Sequence, residues 1–412
     1  MPKIQVFEHS FLSIEGKFKQ NHFVALSKLN ALHNDKYFDI RHNGVKFKQF
    51  VGVIQVDGLT IEILPKIDND GKSFNVWQKA LIKMLRVTKK LKVQKLDNAD
   101  VNRQNIHLLD IYFEWFLNEV QLLIHQGLIK QYYTETSNVN ALKGKLEFAG
   151  HISKNLVHKE RFYTTHQVYD KDHSVHQILS KALGIVEKCT KGNYLYSKCK
   201  TVQLDFPEVK NISVNEAAFS KIPKTRKTTP YETALAISKF IILNFAPNIS
   251  SGSENMLALL FDMNNLWEEY ILARLKQSDK GLTVYGQQSR HFWDGISIRP
   301  DIVLDNGSDK FIIDTKWKNI AYSQPSTHDL RQMYVYNDYW KSTKAMLLYP
   351  SNETKFEGFV KFQDHHIHKS IEIKQHECGV GKISIFEDGT DILDKNIGDK
   401  IIDWFLIDKF KT

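Results

Sequence analysis

The stretch ISIRPDIVLDNGSDKFIIDTKWKNI, residues 296–320, decides the fold of the C-terminal part of the chain. Apolar β-formers lie on both sides of Asp305-Asn306-Gly307, a tripeptide typical of a tight turn between two strands. The stretch therefore predicts a β-hairpin with one strand near 298–304 and another over 310–317. Each arm of this hairpin carries one acid, Asp301 on the first and Asp314 on the second.

The second arm combines a carboxylate with an ammonium group. Asp314 and Lys316 are two residues apart, so on a strand both side chains point to one face while Thr315 points to the other. The apolar residues before them indicate burial, and burying two charges is costly unless something compensates both. A divalent cation compensates carboxylates, and Mg²⁺ prefers oxygen ligands. An Asp-x-Lys pair by itself is more typical of a structural ion pair, but Pro300-Asp301 on the partner strand favours a catalytic site.

Two further segments flank the hairpin. The apolar run over 256–277 predicts a helix that carries Glu268 and Glu269, either of which could supply a third acid; Glu268, which follows Leu266-Trp267, is preferred. Downstream, a helix is predicted over 328–340, where Gln332 and Tyr336 are one turn apart and share a face. That pair suits either substrate positioning or core packing. A strand over 344–350 is predicted to follow, so the order of elements in this α/β unit is helix, strands, helix and strand.

The first part of the chain is predicted to be β-rich with one basic helix. Residues 50–67 alternate apolar side chains around Asp57-Gly58, which predicts a β-hairpin. Residues 74–93 have helical periodicity, and basic side chains recur every three or four positions. These are Lys79, Lys83, Arg86 and Lys90. They form either a solvated helix face or a surface that meets acidic protein or phosphate.

The middle of the chain is predicted to be helical, with helices over 106–131, 174–190 and 231–245. A new unit begins near residue 246, in a loop rich in small and polar residues. The sequence thus divides into 1–130, an N-terminal domain; 131–245, a helical connecting region; and 246–412, a nuclease domain. The predicted fold class is α/β, α+β overall.

Composition restricts the function classes. The 412 residues suffice for two or three domains, and a net charge of +9 favours polyanionic partners. There is no apolar run long enough to span a bilayer and no signal-peptide pattern, so no membrane association and a cytoplasmic location are expected. The three cysteines are too far apart in sequence for a disulfide framework or a C-x-x-C metal site.

The combination of these motifs resembles two nested families. Pro300-Asp301 followed by Asp314-x-Lys316 resembles the PD-(D/E)xK nuclease signature, with Asp314 in the Asp-or-Glu position. Over residues 45–350 the chain is similar to McrC, the nuclease subunit family of McrBC-type restriction systems. That similarity is carried by VGVIQVDGLTIEILPKI, ALKGKLEF, VYDKDHSVHQILSKAL, DMNNLWEEY, RPDIVL, FIIDTKWK and DLRQMYVY. The chain departs from the family at Lys143 and Lys145, where arginines are usual, and at Ser174 and His176, where Pro and Asn are usual.

The resemblance implies roles for individual residues. Asp301, Asp314, Glu268 and the backbone carbonyl of Thr315 would hold Mg²⁺, for which Mn²⁺ can substitute. Lys316 would act with these acids in DNA cleavage, and Gln332 with Tyr336 would position the substrate.

The resemblance also implies a partner, an McrB-like AAA+ GTPase hexamer that recognises the DNA site and whose GTPase the chain stimulates. Residues 1–130 would dock onto it, and the basic helix over 79–95 would belong to that contact. The chain itself is expected to bind no nucleotide, because Gly379-Val380-Gly381-Lys382 lacks the remaining P-loop residues. The alternative is a regulatory docking subunit that keeps a nuclease fold for DNA binding without cutting.

A second metal hypothesis concerns His366 and His368, which would share one face of a strand and could bind a transition metal. No further ligand follows at suitable spacing, so a polar strand edge is the favoured interpretation.

Overall fold

The structure is a computed structural model that describes residues 2–67, 71–90, 108–247, 255–318, 325–362 and 376–406. By internal contacts the chain divides into two compact units. The terminal unit combines Met1–Arg103 with Leu260–Thr412, and the middle unit is Gln104–Leu259. Among the described helices, none is both long and apolar enough to cross a bilayer.

The described helices, numbered in chain order, are α1 (Gln20–Leu32), α2 (Phe74–Val87), α3 (Leu108–Gln126), α4 (Phe148–Asn155), α5 (Ser174–Cys189), α6 (Leu195–Asp205), α7 (Glu216–Ser220), α8 (Glu232–Leu243), α9 (Met263–Leu275), α10 (Thr327–Trp340) and α11 (Ile397–Leu406). The described strands are β1 (Lys3–Phe7), β2 (Phe11–Ser13), β3 (Phe38–Arg41), β4 (Gly44–Phe47), β5 (Phe50–Val56), β6 (Leu59–Leu64), β7 (Gln131–Val139), β8 (Lys145–Leu146), β9 (Phe162–Asp170), β10 (Phe245–Pro247), β11 (Asn255–Asp262), β12 (Thr283–Gly286), β13 (Arg290–Trp293), β14 (Ile296–Ile298), β15 (Ile302–Asp305), β16 (Lys310–Thr315), β17 (Lys344–Ser351), β18 (Lys355–Lys361) and β19 (Glu377–Ser384).

The N-terminal hairpin is confirmed. β5 and β6 pair antiparallel around Asp57 and Gly58, which both have positive φ, 51° and 74°. A two-residue turn of this kind matches the twist of the strands, and glycine adopts its backbone conformation without strain. Every residue of both strands is buried, and β1 pairs with β6 in parallel. Helices α1 and α2 pack on this hairpin.

The sheet that carries the candidate site has six strands in the order β12-β15-β16-β17-β19-β18. Its centre, β16-β17-β19, is parallel, and β12, β15 and β18 are antiparallel to their neighbours. α10 packs on β16 and β17, where Met333, Trp340, Ala345 and Leu347 form part of a closed apolar core. The predicted order of strand, turn, strand, helix and strand is therefore confirmed for residues 302–351.

The middle unit differs from the predicted helical connecting region. The predicted helices are present as α3, α5 and α8, which pack together with α6. The unit also contains a three-stranded antiparallel sheet in the order β7-β9-β8. Side chains of β7 alternate between half-buried and exposed. This alternation is the period of a strand with one face in water, which the sequence interpretation missed.

The predicted helix over 256–277 is wrong for residues 256–262. Residues of β11 form a strand that pairs with β10, and α9 begins only at Met263. Asp262 caps α9, because its side chain accepts hydrogen bonds from the backbone N–H groups of Asn264 and Asn265 at 2.9 and 3.3 Å. A short apolar run such as MLALLF fits a buried strand as well as a helix, and the capping aspartate was the signal that marked the boundary.

The two compact units also cut the chain differently from the three predicted segments. The segments predicted as the N-terminal and nuclease domains contribute to one terminal unit, whereas residues 104–130 lie in the middle unit. The functional roles given to 1–130, 131–245 and 246–412 stay predictions.

Candidate active site

The two motif aspartates lie at the same end of the β15–β16 pair. Ile302 pairs with Ile313, so Asp301 immediately precedes β15 while Asp314 is the penultimate residue of β16. The first strand is shorter than predicted, since residues 296–298 form β14 and pair with β13 instead. Lys316 lies just beyond the end of β16, and its N–H donates to the carbonyl of Leu348 at 2.9 Å.

Asp301 is bound to the opposite arm through Thr315. Its Oδ2 accepts hydrogen bonds from the Thr315 backbone N–H at 2.7 Å and from the Thr315 hydroxyl at 2.9 Å. Hydrogen bonds to a carboxylate are stronger than those between neutral groups. The arrangement therefore fixes the Asp301 side chain beside β16 at the level of Asp314.

Asp314 and Lys316 form a buried ion pair. Asp314 is 1% exposed, and its Oδ2 lies 2.6 Å from the Lys316 ammonium. Burial raises the pKa of Asp314 to about 6 and the Asp301 charge adds to this, while Lys316 opposes both. For Lys316, burial lowers the pKa, but the carboxylates of Asp314 and Asp301 outweigh burial and raise it. The lysine is therefore cationic at neutral pH.

Proline in the motif has a structural consequence for the carbonyl of Thr315. If the β15–β16 register continued by two residues, Pro300 would lie opposite Thr315. Proline has no N–H, so it cannot donate to the Thr315 carbonyl as another residue in that position could. This favours the predicted availability of that carbonyl as a ligand.

Of the two glutamates on α9, Glu268 is the one that interacts with Asp301. The pKa of Glu268 is raised to about 7, first by burial and then by the charge of Asp301. Glu269 instead forms an ion pair with Lys90 at 3.1 Å, on the outer side of α9. Of the two glutamates, the structure thus brings the preferred one to the site.

The Gln332–Tyr336 pair is in contact as its spacing predicts. The Gln332 amide donates to the Tyr336 hydroxyl at 2.8 Å, and this hydroxyl donates to the backbone carbonyl of Arg299 at 2.9 Å. Arg299 is two residues before Asp301, so the pair supports the segment that leads into the first acid. Tyr336 is also part of the apolar core, which agrees with the packing interpretation of the pair. A role of the pair in substrate positioning stays a prediction.

Two residues of the site were missed by sequence reasoning. Gln287 connects Glu268 to Asp301. Its side chain donates to Glu268 at 2.7 Å, and its backbone N–H donates to the Asp301 carbonyl at 2.9 Å. Its φ of 50° is left-handed, which is uncommon for glutamine and not readable from the sequence. Asp329, at the first turn of α10, adds a further negative charge near Asp314 and Lys316.

The donor chemistry of the site fits a hard divalent cation. The carboxylates of Asp314 and Glu268 both interact electrostatically with that of Asp301, and Mg²⁺ needs only a few carboxylate ligands because it keeps several waters. Among the described residues, however, no three acidic, histidine or cysteine side chains stand close enough to form a preformed metal cage. Oδ2 of Asp301, Oδ2 of Asp314 and Oε1 of Glu268 each face a partner within the protein. A cation would therefore have to compete with these partners.

The basic side chains predicted to contact a partner lie on or just after α2. Lys79, Lys83 and Arg86 are half-buried, and burial lowers the pKa of both Lys83 and Arg86. Lys90 is engaged with Glu269. Arg86 has buried Nε and Nη2 atoms without a hydrogen-bond partner in the described part of the chain. His366 and His368, the second metal hypothesis, lie outside the described residues.

These elements define a mixed α/β protein in which a cluster of two aspartates, one lysine and one glutamate lies at one end of a central sheet. The family model of the McrBC 5-methylcytosine restriction system component matches residues 45–350. The chain belongs to this family.

The chain is also similar in sequence to a restriction enzyme. Over 148 residues the chain is 25% identical to the Type IV methyl-directed restriction enzyme EcoKMcrBC of Escherichia coli (strain K12), covering 35% of this chain. That match spans 42% of the relative, less than half of its length.

Two solved structures share the fold. The first is the refined half-complex from the tetradecameric assembly of Thermococcus gammatolerans McrB AAA+ hexamers with bound McrC, with a TM-score of 0.68 and 18% identity. The similarity covers 97% of this chain and 99% of that chain. The second is the cryo-EM structure of the Thermococcus gammatolerans McrBC complex, with a TM-score of 0.50 and 20% identity over 67% of this chain and 87% of that chain.

Proposed function

We propose that the chain is the DNA endonuclease subunit of a GTP-dependent McrBC-type restriction complex. The observation that carries the proposal is the convergence of Asp301, Asp314 and Lys316 at one end of the β15–β16 pair, with Glu268 facing them from α9. This is the arrangement expected of a PD-(D/E)xK core. Asp301, Asp314, Glu268 and the Thr315 carbonyl are the proposed ligands of Mg²⁺ or Mn²⁺.

The charges of these residues suit phosphodiester hydrolysis. When bound, Mg²⁺ supplies neutralisation of the phosphate charge and a coordinated water of lowered pKa. Lys316 stays cationic through its carboxylate neighbours and can contact the phosphate oxygens on which charge develops. The pKa of Glu268 is about 7, so its carboxyl loses its proton near neutral pH, as a metal ligand must. Asp314, whose pKa is about 6, is mostly ionised above neutrality and can orient the Lys316 ammonium.

The proposed partner is an AAA+ GTPase hexamer of the McrB type, which would translocate DNA and whose GTPase this chain would stimulate. Support comes from the solved structure that is similar to nearly the whole chain, which is an assembly of McrB AAA+ hexamers with bound McrC. Residues 1–130 with the basic side chains of α2 remain the proposed docking region. The net charge of +9 suits DNA as the substrate.

The decisive experiment is co-purification with an McrB-type AAA+ GTPase, followed by a plasmid cleavage assay with GTP and Mg²⁺. Asp314→Ala should abolish cleavage because it removes the buried carboxylate at the centre of the site, while stimulation of the partner's GTPase persists. Lys316→Ala should also impair cleavage and leave the fold intact, as thermal melting with and without Mg²⁺ would show.

Asp305→Ala is a matched control, because Asp305 lies at the other end of the same strand pair and contacts only turn residues and Lys310 in the described contacts. Cleavage that survives Asp314→Ala would contradict the assignment of the active site. A wild-type complex that binds DNA and stimulates GTP hydrolysis but does not cut would leave the alternative function, a docking subunit that uses its nuclease fold for DNA binding.

A further inference from the structure

Lys316 needs support from outside its strand. It follows the last residue of β16, and the hydrogen bond from its N–H to the Leu348 carbonyl connects its backbone to the sheet. The next residue, Trp317, also lies outside any strand and yet is 7% exposed. A contact that fixes the indole of Trp317 therefore also restrains the backbone of the adjacent Lys316.

Trp317 is held by the N-terminal part of the chain. Its indole N–H donates to Oε1 of Glu8 at 2.7 Å, in a fully buried contact that joins residues 309 positions apart. Glu8 is itself fixed at the end of the β1–β6 pair, since its N–H donates to the Leu64 carbonyl at 2.9 Å. The same Oε1 accepts a second hydrogen bond from the Lys66 N–H at 3.2 Å.

The ring of Trp317 also reaches the helix of the third acid. It packs against the fully buried Trp267 with 5.5 Å between ring centroids. Trp267 directly precedes Glu268 on α9. One buried indole thus contacts the supports of both Lys316 and Glu268, and its N–H is bound to the carboxylate of Glu8, the residue that directly follows β1.

We infer that Glu8 is a positioning residue of the active site, which acts through Trp317 on Lys316. A carboxylate acceptor orients the indole more strongly than a neutral group does, and burial of the contact strengthens the hydrogen bond. Loss of the acceptor frees the indole to rotate and shifts the backbone of Lys316. The inference builds on the proposed function for its catalytic consequence, but the placement of the Lys316 side chain can be measured independently.

The test uses the full chain with its GTPase partner and compares four variants. Glu8→Met removes the acceptor, Glu8→Gln keeps an oxygen at Oε1, and Trp317→Phe removes the donor but keeps an aromatic ring beside Trp267. Glu62→Met is the matched control, because Glu62 is a second buried glutamate of the same sheet that binds Lys3 and Gln78 instead of the site.

In the cleavage assay, Glu8→Met and Trp317→Phe should lower kcat by up to roughly 100-fold, the scale of loss for a catalytic group misplaced by about 1 Å, with little change of KM for DNA. Glu8→Gln should restore most of kcat. The double variant should lose no more than either single variant, because both break one interaction. Glu62→Met should lower Tm as much as Glu8→Met does and keep kcat near wild type.

The second readout is the rate at which an acetylating reagent modifies Lys316, measured by mass spectrometry without partner or DNA. Faster acetylation in Glu8→Met and Trp317→Phe, but not in Glu8→Gln or Glu62→Met, supports the inference. Wild-type acetylation and wild-type kcat in Glu8→Met would overturn it. If the wild-type complex does not cleave, the proposed function fails, and the acetylation rates still decide whether Glu8 positions Lys316.

Discussion

Replacing Glu268 with glutamine is expected to stabilise the protein at alkaline pH. Burial and the Asp301 charge raise the pKa of Glu268 from 4.5 to about 7. Each unit of pKa corresponds to about 1.4 kcal/mol, so ionised Glu268 lowers the free energy of unfolding by at most roughly 3 kcal/mol. Because the side chain is only half-buried and partly screened by water, we expect a gain of about 1–3 kcal/mol for Glu268→Gln.

The sign of the effect depends on pH. The folded state binds the Glu268 proton more tightly than the unfolded state, so the contribution of Glu268 to wild-type stability falls as pH rises from about 4.5 to about 7 and then levels off. Urea unfolding followed by tryptophan fluorescence at pH 5, 6, 7 and 8 should therefore show little difference at pH 5 and the full gain at pH 8. Added Mg²⁺ at pH 8 should stabilise the wild type more than the variant, because binding to the folded state alone adds stability.

Two results would refute this reasoning. One is equal stability of Glu268→Gln and wild type at pH 8, and the other is a larger gain at pH 5 than at pH 8. Glu269→Gln is the control, since the Glu269 carboxylate pairs with Lys90 near the surface. It should change the unfolding free energy by less than about 1 kcal/mol at every pH.

Two substitutions test the supports of the site. Tyr336→Phe removes the hydroxyl that joins Gln332 to the Arg299 carbonyl, so it should cost about 1 kcal/mol in urea unfolding and lower cleavage several-fold; a Tyr334→Phe variant that loses as much activity would contradict this. Asp262→Ala removes the cap of the helix that carries Glu268 and should cost about 1 kcal/mol by thermal or urea unfolding, whereas Asp262→Asn should retain most of the cap. Equal losses from both changes at Asp262 would argue against capping.

The strand pair, its turn and the following helix could be predicted because their signals are local. Asp57-Gly58 marks the first hairpin, and the spacing of Asp314 and Lys316 places both on one side of β16, where the structure finds them paired. The choice of Glu268 over Glu269 was also favoured by the sequence, since the apolar Leu266 and Trp267 before it are fully buried. In each case a few neighbouring residues carry the information.

Other features depend on contacts that sequence spacing does not reveal. The left-handed backbone of Gln287 is one such feature. The Glu8–Trp317 hydrogen bond is another, because it joins residues that are far apart in sequence. The boundary between β11 and α9 was missed because an apolar run suits both structures. Domain division was hardest, because the terminal unit is built from both the first and the last parts of the chain.

That discontinuous build has a consequence for synthesis on the ribosome. The first 103 residues emerge before the whole middle unit, and the strands that carry the candidate site follow only after residue 259. At about 5–20 residues per second, translating the intervening segment takes roughly ten to thirty seconds. Before Trp317 has been synthesised, Glu8 lacks this hydrogen-bond donor. The proposed active site therefore cannot form until the C-terminal segment has left the ribosome.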